Sequence, residues 1–170
     1  MRRVDYRVPL TLGQQEAWGK LRDLSLAGNY VPGLTAVELT TGQREGVGAS
    51  RRVQQGQRIV LDETVVEWRD GEGFSLRLHR GDRGPLPPMR EAYFDYGIEC
   101  EDGSVYLHNA MRYSVGLGPL GWLLDVLLLR LVVARSVRDA TVAQKVFYET
   151  GEKVSAAALA EALARLGPTG

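Results

Sequence analysis

Metal-ligating and nucleophilic residues are scarce in this chain of 170 residues. It contains one cysteine, Cys100, and two histidines, His79 and His108. C-x-x-C, H-E-x-x-H and G-x-S-x-G motifs are lacking, so the sequence predicts no metal site, no cofactor and no hydrolase-type catalytic set. A single cysteine cannot form an internal disulfide, which indicates a reducing, cytoplasmic compartment.

Neither sign of charge is in excess. Lys plus Arg and Asp plus Glu each number 21, giving a formal net charge of +0. The chain therefore lacks the global basic footprint of a nucleic-acid-binding protein, and no nucleic-acid partner is expected. The first residues, MRRVDYRVPL, also lack the apolar run of a secretory signal, so none is expected.

A long apolar run free of charge is lacking too. Residues 117–134 come closest, but Asp125 and Arg130 interrupt them, each costing about 2.5–3.5 kcal/mol at a bilayer centre. No transmembrane span is predicted, although peripheral membrane contact near Trp122 stays open as an alternative.

The same run begins with glycines that spell G-x-G-x-x-G from Gly116. A dinucleotide-binding unit requires a strand after the helix that follows this motif, and no strand follows here. We interpret the run as part of a long helix from about Leu120 to Tyr148, whose apolar stripe includes Leu128, Leu131 and Val132.

What precedes that helix is mainly strand-like. MRRVDYRVPL alternates and predicts a strand that ends at Pro9, and TLGQQEAWGKLRDL predicts a helix with Thr11 as a candidate N-cap. From Leu34 onward apolar residues recur with a period of two, interrupted by the turn signals QQGQ, DGEG and EDGS and by the loop DRGPLPPM. The order of one strand, one helix, six strands and one long helix predicts an α+β fold with a curved antiparallel sheet of about seven strands.

This order resembles the START-like helix-grip superfamily (SRPBCC), which includes polyketide cyclases/dehydrases, lipid-transport domains and plant pathogenesis-related allergens. The pieces that carry the resemblance are NYVPGLTAVEL, GVGASRRV, LDETVVEWRDGEGFSLRL and GLGPLGWLLDVLLLR. The similarity covers residues 1–150, which leaves 151–170 as a tail in which Ser155 fits a helix N-cap. It implies a sheet wrapped around the long C-terminal helix and a cavity between them, open near the helix start.

Two charged residues interrupt rows of apolar residues that would face this cavity. Arg51 falls between Ala49 and Val53, and Glu63 interrupts another such row. If Gly56 closes a three-residue loop, Val53 faces Ile59, and Arg51 and Glu63 become diagonal neighbours on one face. Two interpretations remain open. The residues form a structural or solvated ion pair, or Arg51 binds a ligand carboxylate or carbonyl that Glu63 orients.

Other candidate ligand-binding residues lie on the same rows. Asn109 interrupts a row and either contacts a ligand or bonds to neighbouring backbone, and Tyr96 and Tyr113 offer hydroxyls to a ligand or pack in the core. The candidate apolar lining, which sequence alone does not separate from plain core, consists of Phe74, Leu76, Phe94, Met111, Trp122 and Val126.

These features predict a binding or carrier domain for a hydrophobic small molecule, such as a lipid, an isoprenoid, an aromatic or a polyketide-like compound. One alternative, implied by the resemblance, is a cyclase/dehydrase-type enzyme. In it Arg51 polarises a carbonyl, and Glu63 or a tyrosine transfers a proton. Another is a regulatory or interaction module with a filled cavity. The tail helix also offers a surface for oligomerisation.

Overall fold

The computed structural model describes residues 1–57, 59–116 and 128–167. The helices are α1 (Gln14–Leu21), a 3₁₀ helix (Leu24–Asn29), α2 (Arg130–Thr150) and α3 (Ala156–Leu166). The strands are β1 (Arg2–Leu10), β2 (Leu34–Leu39), β3 (Ser50–Gln55), β4 (Ile59–Arg69), β5 (Gly73–His79), β6 (Met89–Glu101) and β7 (Ser104–Val115). None of these helices has the length and hydropathy that crossing a membrane requires.

The strands form one antiparallel sheet of seven strands in the order β1-β7-β6-β5-β4-β3-β2. Its register aligns apolar residues across the strands, with Leu76 opposite Phe94 and Phe94 opposite Met111. Because successive side chains alternate between faces, this register gathers the apolar rows on one inner face and the charged rows on the outer face. The predicted α+β class and seven-stranded sheet are confirmed.

Glycine is required at a turn of the sheet and at a close approach between strands. Gly56 has φ 59°, the left-handed conformation predicted for the turn between β3 and β4. A Cβ on Gly73 would lie 2.1 Å from the Tyr96 carbonyl oxygen, so β5 approaches β6 more closely there than any side chain permits.

The start of the chain differs from the sequence prediction in two details. Strand β1 continues through Pro9 to Leu10, which is possible because β1 is an edge strand and one side of it needs no ladder bond. Helix α1 has Gly13 at its N-cap, without a side-chain cap, so Thr11 does not cap it. Instead the Thr11 backbone N–H donates to the Glu149 carboxylate at 2.8 Å and connects the end of β1 to the end of α2.

Helix α2 lies against the inner face. Its buried stripe includes Val133 and Val137, and it ends at Gly151, whose φ of 76° and N–H bond to Phe147 O form a left-handed C-cap. The predicted end at Tyr148 is therefore correct to within two residues. The predicted start near Leu120 lies outside the described residues.

Part of the predicted apolar stripe is not buried. Leu128, Leu131 and Val132 were expected to face the sheet, but they are 63%, 59% and 57% exposed. The sheet-facing stripe instead follows Leu129, Val133 and Val137, which are spaced four apart and pack together. In a run this rich in leucine and valine, spacing alone does not determine which face turns inward.

Among the described residues, the apolar side chains under α2 form two clusters. The larger cluster joins α1, the 3₁₀ helix, the middle strands and the second half of α2, and α3 packs on it through Leu159 and Leu163. The smaller cluster has Ala92, Tyr113, Val133 and Val137 at its centre. Partly buried residues surround it, among them Val4, Leu78, Met89, Phe94, Met111, Val115 and Leu129.

Candidate ligand-binding site

A buried ion pair lies within the larger cluster. Arg51 and Glu63 face each other directly across β3 and β4, with Nε and Oε2 2.6 Å apart. The predicted shared face is correct, but the register is not. Gln55, rather than Val53, is opposite Ile59, so the two charged residues are direct rather than diagonal partners.

The Arg51 guanidinium is satisfied by protein groups. Arg51 is 1% exposed, and its Nη1 donates to the Leu24 carbonyl at 2.7 Å. The guanidinium also acts electrostatically on the hydroxyls of Tyr30 and Tyr96, whose pKa values it lowers in part. Through its two hydrogen bonds this one side chain connects β3, β4 and the 3₁₀ helix.

The electrostatics of this group follow from its burial. Burial by itself would lower the pKa of Arg51, but the Glu63 carboxylate together with Tyr96 and Tyr30 outweighs burial and raises the pKa above its ordinary value. Burial also raises the pKa of the Tyr30 and Tyr96 hydroxyls, which therefore keep their protons at neutral pH. The cluster is thus a charged pair surrounded by neutral hydroxyls.

A second polar group, centred on Asn109, connects β7 to α2. The Asn109 Nδ2 donates to Gln144 Oε1 at 2.7 Å and to Thr141 Oγ1 at 3.2 Å. Thr141 in turn donates to the Val137 carbonyl, and Gln144 Nε2 donates to the Tyr148 hydroxyl oxygen. Both partners accept a hydrogen bond from Nδ2 in this arrangement, which directs the amide oxygen Oδ1 away from them.

That orientation leaves an acceptor unused. Asn109 is fully buried, and within the described part of the chain its Oδ1 has no hydrogen-bond partner. Along β7, Asn109 lies between Leu107 of the larger cluster and Met111, which borders the smaller cluster. The unpaired carbonyl therefore lies at the boundary between the two clusters.

The other predicted site residues divide between the clusters. Phe74, Leu76 and Tyr96 are buried in the larger one, and the Phe74 ring lies between the rings of Trp68 and Tyr96, with centroids 5.4 and 5.3 Å away. Tyr113 is fully buried at the centre of the smaller cluster. Phe94 and Met111, paired across β6 and β7, are only partly buried. Trp122 and Val126 lie outside the described residues.

Several residues of these networks were not predicted from sequence. Thr141, Gln144 and Tyr148 follow helical spacing from Val137, so polar residues on the buried stripe of α2 were the available signal. Tyr30 follows a 3₁₀ helix, where no periodicity marks an inward side chain. Trp68 faces inward because the register shifts between Val65 and Glu67, and alternation does not reveal such a shift.

The outer face carries a separate, polar groove of about 890 Å³. Its lining charges pair among themselves, as in Arg112 with Asp95 at 2.7 Å and Arg7 with Glu101 at 2.6 Å. His108 lies there between Asp5 and Glu99. Across the described ranges, no group of three or more His, Cys, Asp or Glu residues is arranged to hold a metal ion.

No protein-family model matches this sequence, and no curated protein matches it. Solved structures do match. A protein of Thermus thermophilus is 14% identical, with a TM-score of 0.64 over 86% of this chain and 97% of its own. Ara h 8.0201 is 10% identical, with a TM-score of 0.54 over 80% and 94%. The major latex-like protein 151 of Panax ginseng is 11% identical, with a TM-score of 0.55 over 83% and 97%.

At these identities the similarity shows the fold. The chain has the helix-grip fold that its sequence predicted.

Proposed function

We propose that this protein binds and carries a hydrophobic small molecule at the inner face of the sheet, beside the smaller cluster. The observation that carries the proposal is the buried, unpaired Asn109 Oδ1. Partly buried apolar side chains, including Phe94 and Met111, lie in the same region. A mostly apolar surface with a single fixed polar group is typical of small-molecule sites.

The unpaired acceptor specifies the polar part of the ligand. A buried acceptor without a partner costs about 1–3 kcal/mol, and a hydroxyl or N–H on a ligand would recover that free energy. Nδ2 is already engaged with Gln144 and Thr141, and an amide oxygen can only accept, so the ligand has to supply the donor. We therefore expect an apolar ligand with a hydrogen-bond donor, such as an alcohol or a phenol.

Two ligands that differ only in this donor test the proposal. Calorimetric titration with 2-naphthol and with 2-methoxynaphthalene should show that the phenol binds about tenfold more tightly, the value of one buried hydrogen bond. In an Asn109→Leu variant that circular dichroism shows to be folded, the ratio should fall to about one. If neither compound binds, nor any longer-chain alcohol, the proposal is wrong. Equal binding of both would leave a hydrophobic site without the Asn109 contact.

The enzyme alternative requires free polar groups. Arg51 would have to polarise a carbonyl, but its Nε and Nη1 already bond to Glu63 and Leu24. Tyr96 is a protonated donor rather than a base, because burial raises its pKa well above the ordinary value. We therefore favour binding over turnover, and recovery of the ligand unchanged after long incubation would agree with this choice.

A further inference from the structure

The first turn of α2 and the helical turn just before it expose an apolar patch formed by Leu128, Leu131 and Val132. Each of these side chains is more than half exposed, at 63%, 59% and 57%. Their spacing of three and four residues places them on one face of the helix. Scattered apolar residues on a surface are ordinary, but three adjacent ones mark a surface that interacts.

The patch cannot turn inward, because the opposite side of the same turns is already packed. Leu129 and Val133 lie in the smaller cluster together with Val137, which is fully buried. Rotating α2 to bury the patch would expose these side chains in its place. The apolar surface is therefore a fixed feature of the fold.

The charges around the patch are basic. Arg130 and Arg135 are exposed on the same turns, and residues 128–136 contain no acidic side chain. The connection between β5 and β6 lies at the same end of the sheet, since Met89 packs in the smaller cluster with Leu129. That connection adds the exposed Arg80, Arg83 and Leu86, against Asp82. The first residues of β6 add the exposed Arg90 and Glu91, so the arginines still outnumber the acids at this end.

We propose that this end of the protein, the patch together with its surrounding arginines, docks on a membrane that carries anionic headgroups. Leucine and valine side chains enter the boundary between headgroups and acyl chains, while arginines bind lipid phosphates bidentately. The sign of the charge favours an anionic bilayer over a neutral one. The proposal goes beyond ligand binding, because it concerns a surface and a partner outside the inner face.

Flotation of the purified protein with vesicles tests this docking. In about 0.1 M salt, the protein should float with phosphatidylcholine vesicles that contain about a third phosphatidylglycerol, and much less with pure phosphatidylcholine. The double variant Leu131→Glu with Val132→Glu should lower the partition coefficient at least about tenfold, because it removes the inserting side chains and adds repulsion.

A matched control separates the patch from net charge. The double variant Val60→Glu with Leu166→Glu replaces side chains that are 44% and 43% exposed on other elements, and it should retain most of the binding. Absence of wild-type flotation with anionic vesicles would overturn the proposal, as would equal losses in both double variants. A wild-type dimer in light scattering that only the patch variant dissociates would also overturn it, because the patch would then bind a second copy of the chain.

Discussion

The two apolar clusters under α2 share one sheet and one helix but differ in how completely their groups are satisfied. In the larger cluster, Arg51 is paired and bonded, and the rings of Trp68, Phe74 and Tyr96 pack in succession. At its boundary with the smaller cluster, Asn109 has an unpaired acceptor, and beside the smaller cluster α2 exposes leucines. We infer that the larger cluster supplies stability, whereas the smaller cluster retains the surface at which we propose binding.

The largest expected effect comes from breaking the buried ion pair. Glu63→Gln leaves a buried cation without its counter-charge, and we expect it to lower the free energy of unfolding by about 3–5 kcal/mol. Asp62→Asn is the matched control, because it makes the same acid-to-amide change one residue away, where the partner Arg52 is half exposed. That control should cost less than about 1 kcal/mol in urea denaturation. Equal losses would contradict the contrast between the two pairs.

A smaller difference in stability loss is expected between two phenylalanine-to-alanine variants. Phe74→Ala removes a fully buried ring from the larger cluster and should cost about 3 kcal/mol or more. Phe94→Ala, on the neighbouring strand, removes a partly buried ring at the border of the two clusters and should cost about half as much or less. Thermal unfolding of both variants measures the difference. A larger loss for Phe94→Ala would reverse our assignment of stability to the larger cluster.

The smallest effect concerns the outer face, where charges are only partly buried. Burial opposes ionisation of Asp95, but hydrogen bonds from Arg112 and Ser75 outweigh it and lower the pKa below the ordinary 3.8. A lowered pKa stabilises the fold above pH 3.8, and this stabilisation is lost as the pH falls through the folded-state value.

Partial exposure limits this contribution to less than about 1 kcal/mol. Urea unfolding at pH 5 and pH 3 should show a smaller acid-induced loss for Asp95→Asn than for the wild type. Asp82→Asn, on an exposed loop, is the control and should behave like the wild type. An unchanged acid sensitivity of Asp95→Asn would show that Arg112 does not stabilise that carboxylate.

The strands could be predicted because alternation of apolar and polar residues shows which side chains share a face of the sheet. This assignment of faces remains correct when the predicted register is wrong by two residues. Shifting β3 by two residues against β4 leaves Arg51 and Glu63 on the same side, so their proximity was predicted correctly even though their pairing was not. The shift between Val65 and Glu67 is different, because one extra residue exchanges the faces beyond it. This is why Trp68 was not predicted among the inward-facing aromatic residues.

The polar groups were harder to predict than the strands. Asn109 was identified because it interrupts an apolar row, but its partners Thr141 and Gln144 come from α2, and pairing between distant elements leaves no local pattern. The exposed face of α2 was not predicted either, because leucines and valines occur on all its sides. In both cases tertiary packing determines where the side chains lie, and the periodicity of the sequence does not show it.

Pro9 near the end of β1 has a consequence for solubility. An edge strand offers unpaired N–H and C=O groups on which another chain can build a continuous sheet, the first step of ordered aggregation. Proline has no N–H to offer, and the charged Arg3, Asp5 and Arg7 on the same strand discourage a second strand from aligning beside it. The edge that β1 leaves open is therefore protected against fibril-like growth by its own sequence.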